Sequence, residues 1–344
     1  MDSTRLKPRD SGKFIASKSE NVSILEDGVR KAARLILNAV KDGSMEKVQF
    51  AAQDVHPKGG GTKAVDWVFL LDTINFSFWP DEGKSYEVLW KEKKYTGYFA
   101  ACAAVNKALE KGIPVTSAEW MAKASLQDLE EIFRSDTPPF AMIPLFEERQ
   151  KAINDSGKVL LEKFDGSFHN VVKKCDQSAQ TLLQLIVENF VSFRDFAEFH
   201  GQKISLLKRA QILVLDVFGA LEGHPEANFG DIDSLTMFAD YRVPQAMAFL
   251  EVLKYSDQLL EKLKKKGRLM AAGDEEIELR GCSIEACERI VASIEELRVN
   301  EEEYQHCRKV TSADVDVFLW MYRRAHAEKV EEAVPMHRTR TIYY

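Results

Sequence analysis

Helical spacing of apolar residues recurs along most of this chain, and it constrains the fold more than any other feature of the sequence. The segment DGVRKAARLILNAV, which begins at Asp27, places these apolar side chains on one helical face: Val29, Ala32, Ala33, Ile36 and Val40. The same spacing runs through residues 141–163, 176–190, 204–222, 243–265, 283–298 and 312–331. The sequence therefore predicts a mainly α fold.

Local signals add helix ends and a few strands. Ser125 and Asp128 have the spacing of a capping box, Gly112 is placed to end one helix, and the next helix is predicted to start near Ser117. YEVLW and YTGYF flank a polar KEKK, which predicts a β-hairpin, and a second short β-pair is expected around 267–281. The loop at 55–67 contains three glycines but lacks the Lys-Ser/Thr ending of a phosphate-binding loop. We expect a flexible segment at 1–12 and a single, mainly helical domain at 13–344.

Composition excludes several classes of protein. The 344 residues carry a net charge of −7, which gives no global reason to expect a stable nucleic-acid partner. No apolar segment has the length of a signal peptide or a membrane span, so we expect a cytoplasmic protein without a membrane partner. The five cysteines form no CxxC pair, so reduced thiols are expected. Nothing in the sequence indicates a metal site or a cofactor, and nothing specifies an oligomeric state.

Three aspartates near the middle of the chain are candidates for chemistry. In SLTMFADYRVPQ an apolar run ends at Asp240, which is followed by Tyr241 and Arg242. Asp240 is either an ion-pair partner or helix cap at the start of the next segment, or a carboxylate at the edge of a pocket. Asp231 and Asp233, in FGDIDS, either form a turn in which Asp233 is an N-cap or contact a ligand.

Aromatic and basic residues supply the candidates for ligand binding. INFSFWP contains Asn75, Phe76, Phe78 and Trp79, which are core residues or a stacking surface, with Asp72 a weaker candidate nearby. Lys208 and Arg209 begin an apolar helix and are either a solvated turn or a phosphate clamp. The loop at 55–67 contains His56, and the C-terminal segment HRTRTIYY contains His337, Arg338 and Arg340. The two histidines are candidate acids or ligands, and the two arginines are candidate phosphate ligands.

Eight segments are distinctive when they are taken together: INFSFW, YTGYFAACAAVNKALEKGIPVTSA, FRSDT, GKVLLEKFDGSF, KRAQILVLDVFGALEG, LTMFADYRVPQ, RGCSIEACE and HRTRTIYY. This combination resembles the queuosine salvage proteins over nearly the whole chain. The resemblance implies a queuosine 5′-phosphate N-glycosidase that releases queuine for reinsertion into tRNA. It also implies a helical fold similar to that of helix-hairpin-helix DNA glycosylases.

Cleavage of a ribosyl C–N bond develops positive charge on the sugar, which a carboxylate near C1′ stabilises or attacks. With the resemblance, Asp240 becomes the first candidate for this carboxylate, and Asp231 and Asp233 are its competitors. The binding candidates are the residues named above that suit a planar base, a cationic side chain and a 5′-phosphate: Asn75, Phe76, Phe78, Trp79, Lys208, Arg209, Tyr241, Arg242 and His56. The alternative is a non-catalytic protein that binds queuine or a modified nucleotide. A DNA glycosylase is suggested by fold analogy alone.

Overall fold

The computed structural model describes residues 4–45, 50–265 and 270–344, and in them the chain is mainly α-helical, as predicted. The helices are numbered in chain order: α1 (Pro8–Lys18), α2 (Glu26–Lys41), α3 (Thr62–Thr73), α4 (Tyr98–Glu110), α5 (Ala118–Lys123), α6 (Leu126–Phe133), α7 (Phe146–Lys163), α8 (His169–Lys173), α9 (Ala179–Asn189), α10 (Lys208–Ala220), α11 (Val243–Phe249), α12 (Asp257–Lys264), α13 (Asp274–Asn300), α14 (Ser312–Ala325) and α15 (Ala327–Ala333). None of these helices is long and apolar enough to cross a membrane.

Six short strands form three antiparallel pairs within the described residues. The strands are β1 (Val22–Ile24), β2 (Glu87–Trp90), β3 (Lys93–Thr96), β4 (Phe196–Phe199), β5 (Gln202–Ser205) and β6 (Leu253–Tyr255). β2 and β3 form a hairpin where one was predicted, with Val88 opposite Tyr95, but β3 begins within KEKK at Lys93, and Tyr98 and Phe99, which were predicted as strand, begin α4. β4 and β5 form a second hairpin, whereas β1 pairs with the distant β6.

The described chain forms two compact units. Unit 1 combines residues 1–48, 195–208 and 233–339, and unit 2 combines residues 49–194, 209–232 and 340–344. The prediction of one domain over 13–344 stays a prediction.

The core of unit 1 is built around α13, a helix of 27 residues that packs against α1, α2 and α14. Two glycines allow the close crossing of α1 and α13. A Cβ atom added at Gly281 would lie 2.4 Å from Ile15 Cδ1, and one added at Gly12 would lie 2.7 Å from Ile284 Cγ2. Both distances are shorter than carbon atoms tolerate, so side chains at these positions would push the two helices apart.

The core of unit 2 contains a group of phenylalanines around α3. The Phe69 and Phe168 rings stack with centroids 4.3 Å apart, and Phe190 lies 4.9 Å from Phe69. Helix α3 is buried along almost its whole length, which agrees with the mostly apolar sequence from Val65 to Thr73. The INFSFW segment follows directly after this helix.

The structure differs from our expectations in further places. Residues 8–12, which we expected within a flexible segment, form the start of α1, where Ser11 and Gly12 are buried. The predicted helix at 243–265 is interrupted by β6, because Leu253 to Tyr255 pair with β1 instead of continuing α11. The predicted β-pair at 267–281 is wrong for residues 274–281, which begin α13, while residues 266–269 lie outside the described part of the chain.

The start of α13 carried a signal that favoured the helix. Asp274, Glu275 and Glu276 occupy its first turn, where acidic side chains interact favourably with the helix dipole. Residues 276–280, at the end of the predicted β-pair, are instead buried within α13.

Candidate active site

Asp240 lies in unit 1, three residues before α11, and 9% of it is exposed. Its Oδ1 accepts hydrogen bonds from the main-chain N–H groups of Arg242, at 2.7 Å, and Val243, at 2.9 Å. Oδ2 makes no hydrogen bond to any residue that the structure describes. One oxygen of Asp240 thus holds the turn that leads into α11, whose N-cap residue is Arg242, and a catalytic role for Asp240 stays a prediction.

A second carboxylate, Asp316 on α14, lies beside Asp240 and is only 4% exposed. Burial raises the pKa of Asp316 well above its ordinary value, and the negative charge of Asp240 raises that pKa further. The Phe238 N–H, 3.4 Å from Asp316 Oδ1, and the charge of Lys208 act in the opposite direction. We call Asp240 and Asp316 the acid pair.

The two carboxyl groups have different environments. Oδ1 of Asp240 accepts two main-chain N–H hydrogen bonds, whereas Asp316 keeps its proton to a higher pH than an exposed aspartate does. A carboxyl group that stays protonated beside a second carboxylate can donate a hydrogen bond at the site.

Asp316 was not among the residues that the sequence pointed to. Its position in SADVDVFLW offered one signal, because Ala313, Asp316 and Leu319 are spaced three residues apart and share the buried face of α14. An ionisable residue at a buried helix position is unusual, and this one lies beside Asp240.

Lys208 is buried in the same unit at the start of α10, and its charge is close enough to oppose the raised pKa of Asp316. The main-chain N–H of Lys208 donates to Asp195 Oδ2 at 3.1 Å. Asp195 in turn pairs with Arg280 through two contacts, Nη2–Oδ2 at 2.5 Å and Nη1–Oδ1 at 3.1 Å. The main chain of Lys208 is thus held in place in unit 1, and its role as a phosphate clamp stays a prediction.

Arg280 also contacts the segment that carries Asp240. Its Nε donates to the carbonyl of Ala239 at 2.8 Å, and its Nη1 donates to Glu276 Oε1 at 3.2 Å. His337 is buried near this guanidinium, and burial together with the charge of Arg280 lowers the pKa of His337 to about 3. His337 is therefore neutral near pH 7 and is not a proton donor at that pH.

Tyr241 and Arg242 lie next to Asp240 in the chain, and the Arg242 guanidinium lies 5.3 Å above the centroid of the Tyr241 ring. Arg242 Nη1 also lies 3.2 Å from Glu331 Oε2 and 3.3 Å from Gln245 Oε1. These contacts fix the Arg242 side chain against α11 and α15. They favour a role for Arg242 in orienting the Asp240 segment.

Unit 2 contains the INFSFW segment, and a buried arginine holds its main chain. Arg149 donates to the carbonyls of Ile74 and Phe76 and lies over the rings of Phe76, at 4.3 Å, and Phe78, at 5.0 Å. The Phe76 ring is 1% exposed, so in this conformation it has no face on which a base could stack. Asn75 Nδ2 donates to Asp72 Oδ1 at 3.0 Å, and both residues are buried.

Arg209 has a structural role in unit 2, unlike its neighbour Lys208. Its guanidinium donates to the carbonyls of Asp72, at 3.0 Å, and Thr73, at 2.6 Å, and also to the carbonyl of Ser192. Arg209 is 1% exposed, so its contacts favour a support for the end of α3 over a phosphate clamp.

The last residues of the chain cover Trp79. Arg340 stacks on its ring with 3.6 Å between the guanidinium carbon and the ring centroid, and it donates to the Trp79 carbonyl at 2.8 Å. Ser77 donates from its main-chain N–H to the carbonyl of Tyr344 at 2.8 Å. The C-terminal segment thus packs on the residues that follow Phe76.

His56 is buried among aromatic rings of unit 2, and burial lowers its pKa to about 4. Its Nδ1 lies 3.0 Å from the Phe50 carbonyl, which only accepts, so the neutral ring carries its proton there. Nε2 then accepts from the Tyr98 hydroxyl, also at 3.0 Å. Both ring nitrogens are used within the protein, and a role for His56 in substrate binding stays a prediction.

The two aspartates that competed with Asp240 have other environments. Asp231 accepts hydrogen bonds from the Ser178 hydroxyl, at 2.8 Å, and from the N–H groups of Ala179, at 2.6 Å, and Gln180, at 3.1 Å, at the start of α9. Burial alone would raise the pKa of Asp231, but these hydrogen bonds lower it. Asp233 is 49% exposed and pairs with Lys309 at 2.9 Å.

Comparisons with known proteins agree with the resemblance seen in the sequence. The family model for queuosine salvage proteins matches residues 55–344. A Mus musculus protein named queuosine 5′-phosphate N-glycosylase/hydrolase is 48% identical over 340 residues, which cover 98% of this chain and 99% of the mouse protein. A protein with the same name from Schizosaccharomyces pombe is 37% identical, and the match covers 96% of this chain and 97% of the yeast protein. Another from Sphaerobacter thermophilus is 33% identical, and the match covers 85% of each protein.

Proposed function

Since the chain belongs to the queuosine salvage protein family, we propose that it hydrolyses the N-glycosidic bond of queuosine 5′-phosphate and releases queuine for salvage into tRNA. The acid pair is the observation that carries the chemical part of this proposal. It combines a carboxylate with one unpaired oxygen, on Asp240, and a buried carboxyl that retains its proton, on Asp316.

The proposed reaction is a hydrolysis at C1′ of the ribose. The bond between C1′ and the base nitrogen breaks, water supplies a hydroxyl group to C1′ and a proton to the base, and the products are queuine and ribose 5-phosphate. Positive charge develops on the ribose as the bond lengthens, and Oδ2 of Asp240 is the group that stabilises it.

Asp316 adds two features to this mechanism. Its proton prevents a second negative charge from developing next to Asp240, so the two carboxyl groups do not repel each other. A carboxyl that remains protonated is also a hydrogen-bond donor, which a leaving base without N7 requires at its remaining heteroatoms. Lys208, close to Asp316, supplies a positive charge suited to the anionic part of a nucleotide.

Some of the other predicted residues remain candidates for substrate binding, and others are left out of the proposal. Tyr241 and Arg242 flank Asp240, and Asn75, Phe78, Trp79 and His56 remain candidates for contacts with the base. Asp231 is left out of the mechanism because three donors already occupy its carboxylate. Arg209 and Phe76 are left out because both are engaged in the core of unit 2.

A direct assay tests the proposal. Purified protein is incubated with queuosine 5′-phosphate, and queuine and ribose 5-phosphate are measured by liquid chromatography with mass spectrometry. Asp240→Asn is expected to lower kcat by about 10²-fold or more, because the transition state loses a preorganised charge. The matched control is Asp233→Asn, which neutralises an exposed aspartate seven residues earlier in the chain.

The results separate the candidate functions. Full turnover by Asp240→Asn would remove Asp240 from the mechanism. Tight binding of queuine by the wild-type protein without any product would instead support the alternative of a non-catalytic binding protein. A steep dependence of duplex DNA binding on salt concentration would favour a DNA glycosylase.

We also propose that the protein acts in the cytoplasm on this small molecule, without a stable nucleic-acid partner. All five cysteines are buried and free, which suits a reducing compartment. Cell fractionation tests the location, and a gel-shift titration with tRNA at physiological salt tests the second point.

A further inference from the structure

We infer that the buried ion pair of Asp195 and Arg280 positions Asp240 relative to Lys208, because it connects the main chain next to Asp240 to the main chain of Lys208. The inference rests on the proposed function, in which Asp240 and Lys208 act on one substrate. Neither Asp195 nor Arg280 is expected to touch the substrate, so both are positioning residues.

The connection is a continuous series of hydrogen bonds within unit 1. Arg280 Nε donates to the Ala239 carbonyl at 2.8 Å, and Ala239 directly precedes Asp240. The same guanidinium donates through both Nη atoms to the Asp195 carboxylate, at 3.1 Å and 2.5 Å. Oδ2 of Asp195 also accepts from the Lys208 N–H at 3.1 Å. A displacement of either member therefore moves Asp240 relative to Lys208.

Stability alone is a poor explanation for this pair. The Asp195 and Arg280 side chains are 6% and 3% exposed, and removing two charges from water costs about as much as their attraction returns. A bidentate contact between a guanidinium and a carboxylate fixes distance and angle, which a pair of packed apolar side chains does less well. The pair thus suits a site at which spacing is critical.

Both residues that the ion pair connects act on the proton of Asp316. The negative charge of Asp240 raises the pKa of Asp316 and the positive charge of Lys208 lowers it, so a change in either distance alters the titration of the acid pair. Two other titratable groups face Arg280: Glu276, one turn earlier in α13, and His337, which is neutral near pH 7. Neither of them contacts Lys208 or Ala239 in the hydrogen bonds described above.

Two conservative variants test the inference. Arg280→Lys keeps the charge but cannot reach Ala239 and both oxygens of Asp195 at once. Asp195→Asn keeps an acceptor for Lys208 but loses the charged bidentate contact. Each is expected to lower kcat for queuosine 5′-phosphate roughly 10- to 100-fold with a smaller effect on KM, because the reacting groups are misplaced. Each is also expected to shift the pH profile of kcat/KM.

The matched control is Glu276→Gln, which neutralises a buried carboxylate on the same guanidinium without breaking the connection to Lys208. It should keep kcat within about threefold of the wild type, because the hydrogen bonds that connect Ala239 to Lys208 remain in place. A further variant, Arg280→Ala, creates a cavity in which millimolar guanidinium ion is expected to restore part of kcat. Folding of every variant is checked by circular dichroism.

The inference is overturned if folded Arg280→Lys and Asp195→Asn keep the wild-type kcat and pH profile, or if Glu276→Gln loses as much kcat as they do.

A measurement without substrate distinguishes a failure of this inference from a failure of the proposed function. The titration of Asp316 is followed through the pH dependence of unfolding, with Asp316→Asn as reference, and it should shift in Arg280→Lys. If the wild type releases no queuine, the proposed function fails, whereas an unshifted titration refutes the positioning role.

Discussion

Replacing Asp316 by asparagine makes a prediction that runs against the usual effect of changing a buried polar residue. The substitution preserves the size of the side chain and keeps an oxygen that can accept from the Phe238 N–H, now 3.4 Å from Oδ1. It removes only the ability to ionise next to Asp240. We expect Asp316→Asn to be more stable than the wild type near neutral pH and less active.

The sign follows from proton binding in the two states. In the unfolded chain Asp316 ionises near its ordinary pKa of about 3.9, whereas burial and the charge of Asp240 raise the pKa of Asp316 in the folded state. Between these two pKa values the folded state binds more protons than the unfolded state. The stability contributed by this group is therefore complete at low pH and is lost as pH rises through that window.

The magnitude follows from the same relation. Each pH unit inside the window costs the wild type about 1.4 kcal/mol of unfolding free energy, and the asparagine variant does not incur this cost. The difference in unfolding free energy between variant and wild type should therefore increase by about 1.4 kcal/mol per pH unit, until the pH reaches the folded-state pKa of Asp316.

Urea unfolding at pH 4, 5, 6, 7 and 8, followed by circular dichroism, measures this difference, and turnover of queuosine 5′-phosphate is measured on the same samples. Asp233→Asn, at an exposed position, is the control and should show no such slope above pH 5. Parallel stability curves for Asp316→Asn and the wild type, or a variant that is less stable at pH 7, would refute the assignment of Asp316 as the protonated member of the acid pair.

Two further substitutions test whether Asp231 and Arg209 have structural roles or contribute to the active site. Asp231→Asn weakens the hydrogen bonds at the start of α9 and is expected to lower the unfolding free energy by about 1–2 kcal/mol, measured in urea, while kcat is retained. Loss of kcat in a stable Asp231→Asn protein would return Asp231 to the mechanism. Arg209→Met leaves the buried carbonyls of Asp72, Thr73 and Ser192 without this donor. We therefore expect the free energy of unfolding, measured in urea or by heating, to fall by about 3 kcal/mol or more. An unchanged stability together with a raised KM would instead indicate that Arg209 contacts the phosphate.

Much of the local structure could be predicted from the sequence, because it depends on residues a few positions apart. The spacing of Val29, Ala32 and Ile36 defines the buried face of α2. The capping box of Ser125 and Asp128 forms as expected at the start of α6. The candidate site could be predicted only in part: FADYR identified Asp240, and the position of Lys208 at a helix start identified it as a candidate.

The remaining features required the tertiary structure. β6 exists because Leu253 pairs with Ile24, more than two hundred residues away in the chain, and no local pattern records that pairing. Lys208 and Arg209 are adjacent in the sequence, yet one lies near the acid pair of unit 1 and the other supports the end of α3 in unit 2.

The sequence by itself determined the family and the mainly helical fold, since these depend on residue types and their local spacing, and it offered Asp240 as the leading candidate for the catalytic carboxylate. Only the tertiary structure decided that Asp316 lies beside Asp240 and that Arg280 joins Ala239 to Asp195. The physical reason is that protonation depends on burial and on charges a few ångströms away in space, and the folded chain brings those charges together from segments far apart in sequence.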